Sequence, residues 1–211
     1  MRSVLRGWCF CESSVSNLVK DFLSVLDLAK FDESVEDLDG LIKGCAAKRA
    51  PPLAPPVFKE DLSTKTFTSP KADTETVGNL YEKEFDELLG EATLLQYAFL
   101  QWTDADVVKL CGAIATGKLV KLKSLDLRNN QIGDAGATAL AEVAGKLPKL
   151  EGLWLRNNQI GDAGVAALAE VAGKLPQLKQ LDLRAGRHNP NISQQAKDAL
   201  KAALPNCSVR L

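Results

Sequence analysis

The residues best suited to reactive chemistry in this 211-residue sequence are five cysteines and a single histidine, His188. Cys9 and Cys11 form a C-x-C pair, which could supply two thiolate ligands to a metal such as zinc. A structural zinc site needs about four ligands, and no second cysteine or histidine pair occurs at a suitable spacing. An odd number of scattered cysteines also argues against a secreted disulfide framework. We therefore expect a reducing intracellular compartment and no bound metal.

The sequence also lacks the motifs of common catalytic sites. It contains neither a G-x-S-x-G nucleophile motif nor a glycine-rich phosphate loop. His188 lies between Arg187 and Asn189, and a lone histidine in such a polar stretch is far more often hydrated surface than a general base. These observations predict a protein that is not an enzyme and that needs no cofactor.

The overall charge is nearly balanced, with 26 basic and 27 acidic side chains and a net charge of −1. Such a chain has no global field that would attract nucleic acid or an anionic membrane, so we expect no nucleic-acid partner. No apolar run reaches the roughly 18 residues that span a bilayer, so any membrane association would be peripheral and through a partner. The basic, serine-containing start MRSVLRGWCFCESS resembles an organelle presequence weakly, which leaves the cytoplasm, mitochondrion and plastid open.

The first part of the chain divides into three segments by composition. Residues 1–50 place apolar residues, among them Phe22, at helical spacing and predict an amphipathic helical segment. Residues 51–73 are rich in proline and predict an extended linker, or a strap anchored on another surface by Phe58 and Phe67. Residues 74–92 return to helical spacing with acidic residues on the other face, and predict a helix that caps the repeats beginning at residue 93.

The remainder, residues 93–211, is built from internal repeats. Residues 123–150 and 151–178 differ at only six of 28 positions, a third copy begins at Lys179, and a degenerate copy precedes them. Each unit first alternates leucines, as a strand with one buried face does, and then changes to helical spacing. Units of this kind cannot bury their apolar faces alone, so they predict a stacked solenoid of parallel strands and helices.

Four further positions in the repeats have a specific structural interpretation. Asp134 and Asp162 precede helical segments and predict helix N-caps. Gly136 and Gly164 come two residues later, and we expect each glycine to allow a close approach between neighbouring helices.

The pattern L-x-x-L-x-L-x-x-N-x-I, from Leu122 to Ile132 and again from Leu150 to Ile160, resembles the leucine-rich repeat. The long helical half makes the units similar to the ribonuclease-inhibitor-like class. This resemblance implies an α/β fold, a right-handed solenoid of about four repeats with parallel strands inside and helices outside. In that family the repeat asparagine forms a ladder of hydrogen bonds to the backbone, a role that falls here to Asn130 and Asn158.

In such a solenoid the residues that alternate with the core leucines face the concave side. The candidate partner-binding residues there are Trp154, Arg128, Arg156, Arg184, Asp126 and Asp182. The three arginines form a column with a spacing of about 5 Å. Either the two aspartates neutralise this column, or the arginines form a stripe that grips an acidic or aromatic segment of a partner.

Trp154 stands where the preceding copy has Asp126, and Gly152 stands where that copy has Ser124. An exposed tryptophan on a concave sheet is typical of a binding hot spot, whereas a tryptophan lying flat on one of the arginines would be structural. We favour the partner contact, with Gly152 making room beside the indole.

The sequence as a whole predicts a non-enzymatic adaptor or accessory subunit of a multiprotein assembly. It would bind one protein through the concave face and be anchored through the N-terminal extension. The alternatives are a GTPase-activating regulator of the ribonuclease-inhibitor-like kind, a cytoskeletal or axonemal capping protein, and an accessory protein of an organellar complex.

Overall fold

The computed structural model describes residues 11, 14–15, 49–67, 70–184 and 192–211. Most of the predicted helical segment 1–50, including Phe22, lies outside the described residues, as do Cys9 and the polar stretch around His188. Of that segment, Cys11 and residues 14–15 are helical, and Cys11 is buried in the core.

The described residues form one parallel sheet whose five strands are arranged in sequence order. The strands are β1 (Leu94–Gln96), β2 (Ser124–Asp126), β3 (Gly152–Trp154), β4 (Gln180–Asp182) and β5 (Ser208–Arg210). Their central residues, Leu95, Leu125, Leu153, Leu181 and Val209, are paired in register. The four leucines are buried in one continuous core. Each of these four units thus adds the same apolar side chain to the same layer.

Six α-helices accompany the sheet in the described part of the chain. They are α1 (Pro55–Ser63), α2 (Pro70–Glu91), α3 (Asp104–Ala115), α4 (Asp134–Val143), α5 (Asp162–Glu170) and α6 (Gln194–Ala203). Helices α3 to α6 each connect one strand to the next, and short 3₁₀ turns extend α4 and α5. The predicted α/β solenoid of parallel strands and flanking helices is therefore confirmed.

Helix α1 begins inside the segment that was predicted to be extended, and that prediction is wrong for residues 55–63. Pro55 and Pro56 occupy the first helical positions, where the backbone N–H has no partner within the helix, so proline is tolerated there. No further proline interrupts the chain before Pro70, which in turn begins α2 four residues ahead of the predicted start at residue 74.

Aromatic side chains join α1 and α2 to the first repeat. The rings of Phe58 and Tyr81 stack with their centroids 3.7 Å apart, and both side chains are fully buried. The Tyr81 hydroxyl donates to the Leu53 carbonyl at 2.8 Å, and burial raises the pKa of this hydroxyl. Phe58 is therefore committed to the core of its own chain, and the prediction that it anchors a partner is wrong. Phe67 is half-buried against the same core.

Arg49 covers the outer edge of the sheet at β1. Its guanidinium lies 4.8 Å from the centroid of the Tyr97 ring and donates to the Gln96 carbonyl at 3.2 Å. The indole of Trp102 donates to the Arg49 carbonyl at 2.6 Å and stacks on Tyr97 with centroids 4.7 Å apart. This end of the solenoid is thus closed by contacts between groups about 50 residues apart in the chain.

The aspartates at the helix starts bond to the following repeat instead of capping their own helices. Asp134 is the first residue of α4, whose N-cap is Gly133. Its Oδ1 accepts hydrogen bonds from the backbone N–H groups of Gly161 and Gly164, at 2.7 and 2.9 Å, at the start of α5. Asp162 likewise accepts from Ser193 at 2.8 Å, just before α6. The prediction of N-caps is therefore wrong, because each carboxylate stabilises the positive end of the neighbouring helix.

Gly164 lies where α5 approaches the previous repeat most closely. A Cβ atom at this position would lie 2.8 Å from Asp134 Oδ1, 2.8 Å from Ile160 Cγ2 and 3.0 Å from Ala137 Cβ. Gly136 is equally confined, with Asp104 Oδ1 at 2.6 Å from the corresponding position. The close approach expected from the sequence is therefore present at both glycines, and no side chain fits there.

We expect Gly164→Ala to lower the free energy of unfolding by about 1–3 kcal/mol, because the added methyl forces the inter-repeat contacts apart. Gly173, in the 3₁₀ turn after α5, is a matched control because a Cβ there would have no atom within 4 Å. Gly173→Ala should change stability by no more than about 0.5 kcal/mol. Urea unfolding followed by circular dichroism measures both, and equal losses in the two variants would contradict the packing argument.

Candidate functional site on the strand face

The sheet face turned away from the core leucines carries two rows of side chains in register, which we call the strand face. The first row is Leu94, Ser124, Gly152, Gln180 and Ser208, and the second is Gln96, Asp126, Trp154, Asp182 and Arg210. Arg128, Arg156 and Arg184 come two residues after the second row on β2, β3 and β4. The register brings the candidate residues predicted from the sequence onto three adjacent strands.

Two of the three arginines are held by the aspartate of their own strand. Arg128 donates from Nε to Asp126 Oδ1 at 2.9 Å and from Nη2 to Oδ2 at 2.6 Å. Arg184 binds Asp182 in the same bidentate way, at 2.9 and 2.7 Å. Charge-assisted pairs of this geometry are among the stronger hydrogen bonds in proteins.

The aspartates of these pairs are buried although they lie on the open face, with Asp126 only 4% and Asp182 only 2% exposed. Each also accepts the backbone N–H of its arginine at 3.1 Å. Hydrogen bonding to Asp126 raises the pKa of Arg128. Burial acts to raise the pKa of Asp182, but the bonds from Arg184 outweigh it and the pKa is lowered. Of the two alternatives for the arginine column, neutralisation by aspartate therefore applies to Arg128 and Arg184.

Arg156 differs because its strand carries Trp154 where the neighbouring strands carry aspartate. Its side chain is exposed, and within the described ranges it forms no hydrogen bond or ion pair. Arg210 on β5 is a second exposed cation on this face, beside Asp182. Arg210 was not among the residues predicted from the sequence, although its alternation with Val209 was the signal that could have found it.

Trp154 points along the sheet toward β2. Its indole Nε1 donates to Ser124 Oγ at 3.0 Å, and the side chain is half-buried. A Cβ atom on Gly152 would lie 3.3 Å from Nε1 and 3.4 Å from Cε2 and Cζ2 of the indole. Gly152 therefore makes room for the indole itself, and Ser124 supplies its hydrogen-bond acceptor. In the part of the chain that the structure describes, no arginine stacks on this ring.

An open pocket of about 310 Å³ lies beside the indole. It is lined by Lys123, Ser124, Glu151, Gly152, Trp154, Lys179 and Gln180. Glu151 lies between the two lysines, with its carboxylate 3.7 Å from Lys123 Nζ and 2.7 Å from Lys179 Nζ. Leu94 is paired with Ser124 on the next strand and is 47% exposed, so it adds apolar surface next to the indole.

The turns at the carboxyl ends of the strands are closed by two asparagine side chains. Asn130 Oδ1 accepts the N–H groups of Leu100 and Trp102 at 3.1 and 3.0 Å, and its amide donates to the Tyr97 carbonyl at 2.8 Å. Asn158 repeats the arrangement one unit later, accepting from Ile132 and donating to the Leu127 carbonyl at 3.0 Å. Both amides are buried and hold the repeats together, so they are not available to a ligand.

A second asparagine ladder runs beside the first. Asn129 and Asn157 adopt the left-handed conformation, with φ of 56° and 58°, and the Asn157 amide donates to Asn129 Oδ1 at 2.6 Å. Asparagine tolerates this conformation better than other residues with a side chain. The paired N-N in both copies was the available signal for this ladder.

The described residues include no group of three or more histidine, cysteine, aspartate or glutamate side chains placed to hold a metal ion. No helix among them is long and apolar enough to cross a membrane. Cys111 and Cys207 are free thiols, and burial raises the pKa of Cys111 to about 12, so this thiol stays protonated at neutral pH.

Comparisons with known proteins agree with this architecture. Residues 120–169 match the family model of leucine-rich repeats, in two copies. Among solved structures, leiomodin-1 actin-binding site 2 is similar, with 18% identity, a TM-score of 0.51, and coverage of 59% of this chain and 70% of that one. A likeness at this identity shows the fold alone. No curated protein matches the chain in sequence.

We expect Arg128→Ala to lower the free energy of unfolding by about 1–3 kcal/mol, because it removes the bidentate partner of a buried carboxylate. Arg156→Ala removes the same side chain from the adjacent strand, where it has no such partner. It should change stability by less than about 0.5 kcal/mol. Urea unfolding compares the two variants, and an equal cost for both would show that the Asp126 pair does not stabilise the fold.

The lowered pKa of Asp182 predicts acid sensitivity of the fold. Because this carboxylate stays ionised to lower pH in the folded than in the unfolded chain, it stabilises the fold above about pH 4 and ceases to do so as the pH falls further. Wild type should therefore lose more stability between about pH 7 and 3 than Asp182→Asn or Arg184→Ala. Unfolding midpoints across this range measure the slopes, and parallel slopes would refute the assignment to this pair.

Proposed function

Since the chain is a leucine-rich repeat protein, we propose that it is a non-enzymatic interaction module, an adaptor or accessory subunit of a larger protein assembly. The partner binds on the strand face, centred on Trp154. The observation that carries this proposal is a half-exposed indole beside an open pocket, two residues before an exposed Arg156 that forms no hydrogen bond or ion pair with a described residue.

The strand face has the composition expected of a binding hot spot only at β3. Tryptophan and arginine are enriched among residues that dominate binding energy, and Trp154 at the end of β3 and Arg156 two residues later supply both. Arg128 and Arg184 are already bonded to buried aspartates, so their charge is largely balanced and a further carboxylate gains less from them than from Arg156. The contact that we propose therefore centres on Trp154 and Arg156 and does not extend over all three arginines.

The described part of the N-terminal extension closes the first repeat, and this supports a structural role for α1 and α2. A second contact with the assembly would use side chains that remain outside the core, such as Val57 and Leu80, which are exposed. For Phe22 and Phe67 the anchoring role stays a prediction. We place the protein in a reducing intracellular compartment, which suits its free thiols Cys111 and Cys207.

The alternative that one similar solved structure brings to mind is a cytoskeletal role. The name of that neighbour describes actin binding by leiomodin-1, but the likeness lies in the fold and not in shared contact residues. Co-sedimentation of this chain with actin filaments would test that alternative directly.

We expect Trp154→Ala to lose a specific protein partner in affinity purification from lysate of the organism that encodes the chain. Truncating an aromatic hot spot weakens binding by about 2 kcal/mol or more, which is roughly thirtyfold. Val108→Ala is the matched control, because Val108 is also an exposed apolar residue but lies on helix α3, on the opposite side of the solenoid.

Quantitative mass spectrometry compares the proteins retained by the wild type and by each variant. Circular dichroism first establishes that both variants are folded. A partner that persists with Trp154→Ala and disappears with Val108→Ala would move the interface to the helical face and overturn the proposal.

A further inference from the structure

The loops that lead into the strands form a basic edge of the solenoid. We define this edge as residues 116–123, 144–151 and 171–179, which precede β2, β3 and β4 and lie together because the strands are parallel and in register. Its charged residues are Lys118, Lys121, Lys123, Lys146, Lys149, Lys174 and Lys179, against a single acidic residue, Glu151. The chain as a whole has a net charge of −1, so positive charge is concentrated here.

Part of this charge is balanced by the capping helix. Asp86 and Glu91 of α2 form ion pairs with Lys118 and Lys121, at 2.5 and 2.7 Å. Glu151 is shared between the lysines on either side of it. Counting these three carboxylates against the seven lysines leaves an excess of four positive charges on the edge. Lys146, Lys149 and Lys174 form no ion pair with any described residue.

The basic edge is continuous with the pocket at Trp154. Lys123 and Lys179 line that pocket, and a second open pocket of about 530 Å³ on the edge shares Lys123 and Glu151 with it. On the opposite side of the indole, Arg156 lies four residues beyond Gly152, about 13 Å along an extended strand. Cations therefore lie on both sides of the indole, Lys123 and Lys179, which share Glu151, on one side and the exposed Arg156 on the other.

The centre between these cations is apolar. The Trp154 indole lies over Gly152 and contacts Ser124, and the exposed Leu94 lies on the next strand. The carboxylates of Asp126 and Asp182, on either side of Trp154, are already bound by their arginines. An apolar group that enters here would not leave an ionised carboxylate unpaired.

We propose that the ligand of this site is an acidic segment of a protein partner with one aromatic or leucine side chain. The apolar side chain packs beside Trp154, and carboxylates on either side of it reach Lys123 or Lys179 in one direction and Arg156 in the other. This assignment rests on the proposed function and adds the chemical class of the partner. A protein segment fits better than a nucleic acid, because a peptide can place its few carboxylates away from Glu151, whereas the phosphates of a nucleic acid recur at every nucleotide.

The test uses the full-length chain and fluorescein-labelled peptides in which one phenylalanine is flanked on both sides by glutamates. Matched peptides replace the glutamates by lysines or the phenylalanine by alanine. Fluorescence anisotropy should show the glutamate-flanked phenylalanine peptide binding at least about tenfold more tightly than either.

Variants assign this binding to the site. Trp154→Ala should weaken it by about tenfold or more, and Arg156→Ala should weaken it by about three- to tenfold and reduce its dependence on salt. Lys83→Ala is the charge-matched control, since Lys83 lies on α2 and pairs with Glu87 of the same helix. This control should bind the peptide as the wild type does.

The outcomes separate this inference from the proposed function. If the lysate partner depends on Trp154 but glutamate- and lysine-flanked peptides bind alike, the acidic assignment is overturned and the interaction role stands. If an oligothymidine binds in a Trp154-dependent way and the acidic peptide does not, the occupant is a nucleic acid and the acidic assignment is overturned. If Trp154→Ala abolishes self-association of the chain, the occupant is a second copy and the assignment is likewise overturned. If neither peptide nor lysate partner depends on Trp154, both proposals fail.

Discussion

The buried amide bonds at the carboxyl ends of the strands hold the repeats in register. The N–H groups of Leu100, Trp102 and Ile132 are enclosed between repeats, where an unsatisfied donor costs about 1–3 kcal/mol. Asn130 and Asn158 satisfy these groups and also donate to carbonyls of the preceding unit. These bonds hold neighbouring strands in register, and the register determines which residues face the core and which lie side by side on the strand face.

This constraint also explains where the two near-identical copies are free to differ. Ladder asparagines, core leucines and close-approach glycines are the same in both units. The asparagines bond to the backbone of the neighbouring unit, and the glycines leave no room for a side chain. Three of the six differences, at Lys123/Glu151, Ser124/Gly152 and Asp126/Trp154, fall on or beside the strand face. They are coupled, since the indole occupies the space above Gly152 and bonds to Ser124.

The regular part of the fold could be predicted because it depends on periodicity, which one sequence shows directly. Strand and helix halves, core leucines, ladder asparagines and tightly packed glycines all recur at fixed spacing. The features that could not be predicted depend on contacts between distant residues. Asp134 accepts hydrogen bonds from the start of the following unit's helix, Phe58 stacks on Tyr81 of another helix, and the indole of Trp154 donates to a serine on the adjacent strand. None of these choices is visible in local composition.

The exchange of aspartate for tryptophan at residue 154 changes two properties of the surface at once. On β2 and β4 the aspartate at this position is buried and binds the arginine two residues later, so the charges of the two groups balance each other. On β3 the same position supplies an indole, and Arg156 loses the partner that its counterparts have. The difference at this one position therefore gives β3 both an apolar surface and an arginine beside it that has no bonded carboxylate among the described residues. The unit that contains β3 therefore keeps the residues that stack the solenoid and differs from its neighbours on the strand face, which is where we propose that the partner binds.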